Sequence, residues 1–319
     1  MAANKPAQRH GRPKRDASLP LVAAPRLVPA AGYRATLRSV LVGPTITPRI
    51  MHSPGILVFD SGVGGLTVFR EIKRARPDAR LVYAADDALF PYGKVPEATL
   101  VERVVTLVGK LIDAHSPDLV VIACNTASVQ VLPALRDQYA LPFVGTVPAI
   151  KPACAASQSK RVSVLGTEAT VAREYTHALI RNFAQGCDLT LVGSAHLAAL
   201  AETALAGENV DDAAIRVEIE PCFVADGAER TDTVVLACTH FPLLLDRFER
   251  LAPWPVRWID PAPAIARRVV ELLGPAAGNT APAQARAWFT SGRKPSGHLA
   301  AALAVFGLET AETAPAPSI

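Results

Sequence analysis

The chain has 319 residues, half of them hydrophobic and 19% charged, a balance that builds a sizeable buried core and excludes a low-complexity or fibrous protein. No uninterrupted apolar run reaches the roughly 18 residues of a membrane helix, and the start of the chain lacks the apolar stretch of a secretory signal, so the sequence predicts a soluble cytoplasmic protein without a membrane partner. The net charge of +4 is concentrated at one end: residues 1–50 carry nine Lys or Arg against one acid, Asp16, which leaves the remainder net acidic and argues against a nucleic-acid-binding face on the globular part. This Ala/Pro-rich arm, residues 1–54, reads as a disordered or regulatory extension. Met51, one of two methionines, stands just before the first strand and offers an alternative start.

From Gly55 onward, short β-branched runs alternate with helix-length amphipathic stretches, and strands are predicted at 55–60, 80–85, 118–124, 142–146, 161–166, 189–194, 233–239 and 256–260. The pattern is that of an α/β protein: two similar doubly wound domains with mostly parallel sheets, related by pseudo-two-fold symmetry, with the active site between them. A first domain at 55–150 is followed by a second at 151–258. The first is completed by about 259–307, where a helix over 261–273 with Arg267 and Arg268 outward, a Gly/Pro/Ala connection at 274–282, a Trp-Phe-Thr strand and an Ala-rich helix ending at Gly307 are expected. Residues 308–319 are a frayed tail.

Two cysteines stand in near-duplicate frames, Val-Val-Ile-Ala-Cys124-Asn125-Thr126 and Val-Val-Leu-Ala-Cys238-Thr239-His240. Each frame is a buried parallel strand handing a thiol to its carboxyl-end crevice, and a symmetric pair of acid/base groups suits a reaction worked from both faces of one carbon. Helices starting just after each thiol would lower its pKa, and His240, two residues beyond Cys238 on a continuing strand, would share its face and exchange protons with it. The other three cysteines, Cys154, Cys187 and Cys222, read as inert packing; five in all, without a CxxC, indicate neither a disulfide framework nor a zinc ribbon. A metal held by Cys124, Cys238 and His240 lacks a second close-spaced ligand pair, so no metal is expected.

Around these thiols lie Phe59-Asp60-Ser61-Gly62-Val63-Gly64-Gly65, a glycine-rich strand end suited to an anionic group at a helix N-terminus, and Asp86-Asp87-Ala88-Leu89-Phe90-Pro91-Tyr92-Gly93, a turn offering backbone N–H groups and the Tyr92 hydroxyl to a carboxylate. The glycines at 62, 64 and 65 do not make a dinucleotide fingerprint. Asp60 reads either as a helix cap or as a group that orients a substrate ammonium or tunes a thiol. Glu202 is either an acid near His240 or part of a solvated helix face, and His196 is structural.

These motifs, with Gly166-Thr167-Glu168-Ala169-Thr170 and Cys238-Thr239-His240-Phe241-Pro242-Leu243-Leu244, run in the order of the aspartate/glutamate racemase superfamily, and the chain resembles its glutamate racemases from about Gly55 to Leu273. The resemblance implies interconversion of L- and D-glutamate by two thiols, without pyridoxal phosphate or metal, to supply D-glutamate for peptidoglycan. It implies Cys124 and Cys238 as the acid/base pair, assisted by Asp60 and His240; Glu202 is outside the matched motifs and stays open between an assisting acid and a solvated helix position. Substrate contacts would come from Asp60, Ser61, Tyr92, Gly93, Asn125, Thr126, Thr239 and His240. It also implies a monomer or homodimer and a cell-wall-precursor activator, for which the Arg-rich arm is chemically suited. Departures are Ala237, Phe241 and Leu89, where the family often has Gly, Tyr and Arg, and they bear on substrate affinity. The competing readings are racemisation of aspartate and a non-catalytic protein that binds acidic metabolites.

Overall fold

The computed structural model describes residues 53–310 apart from 185, 228 and 277–284, all within the compact unit Thr47–Ile319. The arm up to residue 52 with its alternative start at Met51, most of the expected 274–282 connection, and the tail beyond 310 lie outside the described residues.

The chain opens with β1 (Gly55–Asp60), α1 (Leu66–Ala75), β2 (Arg80–Ala85), α2 (Glu97–His115), β3 (Leu119–Ile122), α3 (Asn125–Gln138) and β4 (Phe143–Gly145). It continues through α4 (Ile150–Ala156), β5 (Arg161–Thr167), α5 (Glu168–Val171), α6 (Glu174–Phe183), β6 (Asp188–Ser194), α7 (Leu197–Leu205) and α8 (Asp212–Ile219). A two-residue hairpin, β7 (Ala225–Asp226) and β8 (Glu229–Arg230), precedes β9 (Thr233–Ala237), α9 (Leu245–Leu251) and β10 (Arg257–Ile259). Last come α10 (Ala262–Leu273), β11 (Ala285–Phe289), α11 (Gly297–Val305) and β12 (Glu309–Thr310).

Two parallel sheets result, ordered β12-β11-β2-β1-β3-β4 and β10-β9-β5-β6, and among the described strands only β7 and β8 pair antiparallel. The segments β2-β1-β3-β4 and β6-β5-β9-β10 have the same order, so β1 corresponds to β5 and β3 to β9. In each, the opening strand lies between the next strand in sequence and the thiol strand. That reversal of direction opens a crevice at the carboxyl edge. Residues from the far end of the sequence complete the first sheet: β11 pairs with β2, and α10 lays Ile265, Ala266 and Val269 into the same core as Leu66, Phe69 and Ile72 of α1.

Both faces of both sheets are covered, which is why the strands read as continuous apolar runs. In β1, Ile56 and Val58 enter one core while Leu57 and Phe59 enter the core on the opposite face, and in β9, Val234 and Leu236 alternate in the same way with Val235 and Ala237. Each side chain of this size contributes about 1.5–3 kcal/mol when fully buried. The thiol strands are shorter than expected, 119–122 and 233–237 against 118–124 and 233–239, because the chain turns at each thiol to begin the next helical segment.

A carboxylate six residues before each thiol ties the two motifs to their opening strands. Asp118 Oδ2 accepts the Gly55 N–H at 2.7 Å, at the start of β1. Asp232 accepts from Ser157 Oγ and from the N–H groups of Gln158 and Ser159, at 2.7, 2.7 and 2.8 Å, just before β5. Among the described residues, no helix is long and apolar enough to cross a membrane.

Candidate active site

Cys124 is the N-cap of the 14-residue α3, and its Sγ accepts the Ala127 N–H at 3.5 Å. The thiol is nearly buried, and burial pushes its pKa up to about 12; the neighbouring Asp60 adds to the rise, while the Ala127 N–H and Ser61 pull against it. The expected lowering by a helix start is thus outweighed by desolvation. Asp60 is fully buried. Its Oδ2 accepts the N–H groups of Gly65 (2.9 Å) and Gly62 (3.3 Å), a cap-like role, whereas Oδ1 is buried without a hydrogen-bond partner among the described residues. Burial raises the Asp60 pKa against the opposing pull of His240 and the Gly65 N–H. One carboxylate therefore holds the glycine-rich turn with one oxygen and presents the other.

Beyond β9, Cys238, Thr239 and His240 form a turn rather than a continuing strand, followed by a 3₁₀ turn at Phe241–Leu244 and then the seven-residue α9. The turn still brings His240 Nδ1 to 3.8 Å from Cys238 Sγ. On the other side of the ring, Nε2 lies 3.0 Å from Glu202 Oε1, delivered by α7, and accepts the Gly64 N–H at 3.2 Å. Glu202 Oε1 also accepts the Val63 N–H at 2.9 Å. Burial disfavours the imidazolium, but the Cys238 thiol, Glu202 and Asp60 outweigh it, and the His240 pKa stands well above its ordinary value. Glu202 and His240 reach the first motif only because it is glycine: a Cβ at Gly62 would run into the Glu202 carboxylate, and one at Gly64 into the His240 ring. Thr67 of α1 adds a second bridge, donating to the Thr239 carbonyl at 3.2 Å. Phe90 packs on the His240 ring with centroids 5.3 Å apart.

Both thiols line one narrow cavity, together with Ser61, Tyr92, Gly93, Asn125, Thr126, Thr239 and His240. Asp60 and Glu202 stand behind this lining as partners of its turns. Asn125 is 97% buried, and neither its amide nitrogen nor its amide oxygen has a partner among the described residues. Thr167, at the end of β5, and Thr170, on α5, complete the wall from the second sheet.

The Tyr92 hydroxyl is not presented to this cavity. It donates to Asp86 Oδ2 at 2.7 Å, in a buried network where Arg103 holds both Asp86 oxygens at 2.6 Å and Thr290 Oγ1 donates to Oδ1 at 2.6 Å. This carboxylate pins the 86–93 turn to α2 and to the end of β11, and Tyr92 meets the cavity through its other atoms. Sequence reasoning passed over Asp86 because its partners lie far along the chain. His196 is exposed at the surface, with Nδ1 2.7 Å from Glu218. Among the described residues, no group of three or more His, Cys, Asp or Glu is arranged to hold a metal ion.

Comparison with known proteins places this arrangement. The Asp/Glu/hydantoin racemase family profile matches residues 57–269. A glutamate racemase from Brucella anthropi is 58% identical over 221 residues, covering 69% of this chain and 80% of the relative. One from Brucella ovis is 55% identical over 227 residues, covering 71% and 82%. Among solved structures, Escherichia coli glutamate racemase, in complex with L-glutamate and the activator UDP-MurNAc-Ala, superposes with a TM-score of 0.76 at 41% identity, covering 83% of this chain and all of that one.

Proposed function

We propose the route by which this chain, which belongs to the Asp/Glu/hydantoin racemase family, interconverts L- and D-glutamate: a proton leaves Cα toward one thiol while the other thiol delivers a proton to the opposite face. The observation that carries this reading is the placement of Cys124 and Cys238 at corresponding strand ends, lining one cavity, each with its own ionisable partner. In the resting protein Cys124 keeps its proton, because burial and Asp60 disfavour its thiolate. Cys238 gives its proton to His240, whose basicity is supported by Glu202. The nitrogen that takes this proton is Nδ1, which faces the thiol; the reactive tautomer therefore carries its own proton on Nε2, directed at Glu202 Oε1 in place of the Gly64 N–H contact. Turnover leaves Cys124 as thiolate and Cys238 as thiol, the state that runs the reverse reaction.

Substrate groups find complements in the same cavity. The ammonium goes to Asp60 Oδ1, and the carboxylates to Asn125, Thr126, Thr239, Ser61 and the Gly93 backbone. An amino-acid Cα–H is a far weaker acid than a thiol, so these fixed dipoles must stabilise the carbanion-like transition state while water is excluded. We read the reaction as independent of pyridoxal phosphate and metal, with its D-glutamate feeding peptidoglycan synthesis in the cytoplasm.

An activator of the nucleotide-diphosphate class also fits the chain. A candidate place among the described residues is an apolar cavity of ≈ 310 Å³ beside the β4–α4 crossover, whose lining includes Lys151 and Arg268. Lys151→Ala with Arg268→Ala should remove activation if it binds there, whereas deletion of residues 1–50 should remove it if the arm is the receptor.

The deciding experiment incubates the full chain with L-glutamate in deuterium oxide, followed by mass spectrometry and chiral chromatography. Deuterium at Cα together with D-glutamate is expected. Exchange and inversion with aspartate alone would shift the substrate, and no exchange with either would leave a binding protein.

A further inference from the structure

Outside the active site, two cysteines on separate elements meet. Cys154, on α4, is 6% exposed, and Cys187, half-buried in the turn before β6, brings its Sγ to 3.7 Å from the Cys154 carbonyl oxygen. Burial raises the pKa of the Cys154 thiol, and the Cys187 thiol adds to the rise. Lys160 Nζ donates to the same carbonyl at 3.1 Å, placing a positive charge beside the pair. Gly186, next to Cys187, has φ +78°, and no atom of the described residues lies within 4 Å of where its Cβ would stand, so the turn has room to adjust. Cys222, by contrast, is sealed in the core of the second sheet. Neither Cys154 nor Cys187 lines the cavity that holds Cys124 and Cys238.

We infer that Cys154 and Cys187 form a site of reversible oxidation, a thiol pair that closes into a disulfide on reaction with a hydroperoxide. The half-exposed Cys187 reacts first: its sulfur attacks one peroxide oxygen, the O–O bond breaks, and the leaving oxygen departs as water (or as an alcohol from an alkyl peroxide), leaving a sulfenic acid. The Cys154 sulfur then attacks the Cys187 sulfur, the S–O bond breaks, and the departing hydroxide takes the Cys154 proton as a second water. Two thiols have given up two electrons and two protons, and one peroxide has been reduced. Access sets this order, because peroxide reaches the half-buried Cys187 whereas Cys154 is nearly sealed. The link would join α4 to the turn that leads into β6. A thiol reductant restores the pair.

The test treats the reduced full chain with dilute hydrogen peroxide, blocks remaining thiols with iodoacetamide, and maps tryptic peptides without reduction. Each of the five cysteines falls on its own tryptic peptide, with Cys154 in 137–160 and Cys187 in 182–216, so oxidation at the active-site thiols is read separately. The expected result is a cross-linked 137–160/182–216 species two hydrogens lighter than its parts, lost on dithiothreitol and absent in Cys187→Ser, where Cys154 is alkylated instead. The inference is overturned if both cysteines remain alkylated after peroxide has oxidised Cys124 or Cys238. It is equally overturned if Cys187 advances to a sulfinic acid while Cys154 stays free.

Discussion

The two thiol crevices are built by the same strand order but are chemically unlike. At Cys124 the thiol caps a 14-residue helix and has a buried carboxylate, Asp60, for a neighbour; both thiol and acid have raised pKa values, so the local chemistry favours bound protons. At Cys238 no long helix follows directly, and the neighbour is a histidine that Cys238 itself and Glu202 make more basic against the effect of burial. The shared strand order supplies two corresponding strand ends with different neighbours, and in the proposed reaction one side holds a proton while the other accepts one. A two-base reaction needs that difference at the start of each turnover, since one thiol must be charged while the other is not.

The sharpest way to break the comparison is to remove the sulfurs. Cys124→Ser and Cys238→Ser should each lower kcat for glutamate by about 10³-fold or more, within the range that general acid–base groups supply, and the double variant should be little worse than either single one. Full racemisation by either single variant, measured by chiral chromatography, would end the two-thiol reading. His240→Asn should cost about 10²-fold and shift the pH profile of kcat, because Cys238 then loses its proton acceptor. Glu202→Gln should cost about 10-fold, acting through His240 rather than on substrate, so KM should stay nearly unchanged. Equal pH profiles for His240→Asn and wild type would show that the histidine is only a packing residue.

Much of this was legible in the sequence because buried parallel strands leave so distinct a trace. The frames ending in Cys124 and Cys238 predicted the strands, the crevices and the thiols, and the alternation of strands with amphipathic helices predicted the two sheets. What the sequence hid were contacts whose partners lie far apart along the chain. Glu202 could be read equally well as a solvated helix position, and only the fold brings α7 against His240 and the Val63 N–H. Asp86 looked like a loop acid because Arg103 and Thr290 are invisible as its partners in one dimension. The pKa of Cys124 was misjudged for a related reason: a helix start is visible in sequence, whereas the desolvation that outweighs it depends on everything packed around the sulfur. One signal was present and passed over, the Asp six residues ahead of each thiol, at 118 and 232.

Asp60 offers a test in which stability and activity should move in opposite directions. Its folded pKa is raised by burial, so the fold favours the protonated acid: that contribution is complete below the unfolded value near pH 3.9 and is lost as pH rises through the folded value. Above the unfolded value this carboxyl is therefore a cost to the fold, and Asp60→Asn should stabilise the protein by about 1 kcal/mol while depressing kcat. Urea midpoints between pH 4 and 8 check it, with the gap to wild type closing toward acid. A variant destabilised across that whole range would mean that the Asp60 carboxylate serves the fold first.

The smallest effect is expected at Asp232, where the sign is reversed. Burial would raise this carboxyl, but hydrogen bonds from Ser157, the Ser159 N–H, Thr233 and the Gln158 N–H hold it down to about 2. A depressed folded pKa contributes stability that is present above the unfolded value near 3.9 and disappears as pH falls through about 2. Asp232 is only partly buried, and solvent screening reduces the linkage, so Asp232→Ala should lose about 1 kcal/mol at pH 6 and progressively less toward pH 3. Because the side chain ties the strand that ends in Cys238 to the residues leading into β5, its loss should loosen the second crevice and leave the first intact. Hydrogen exchange that quickens in β5 and β9 but not in β1 and β3 would show this, and equal quickening in both sheets would mean that the two thiol crevices open as one cooperative unit.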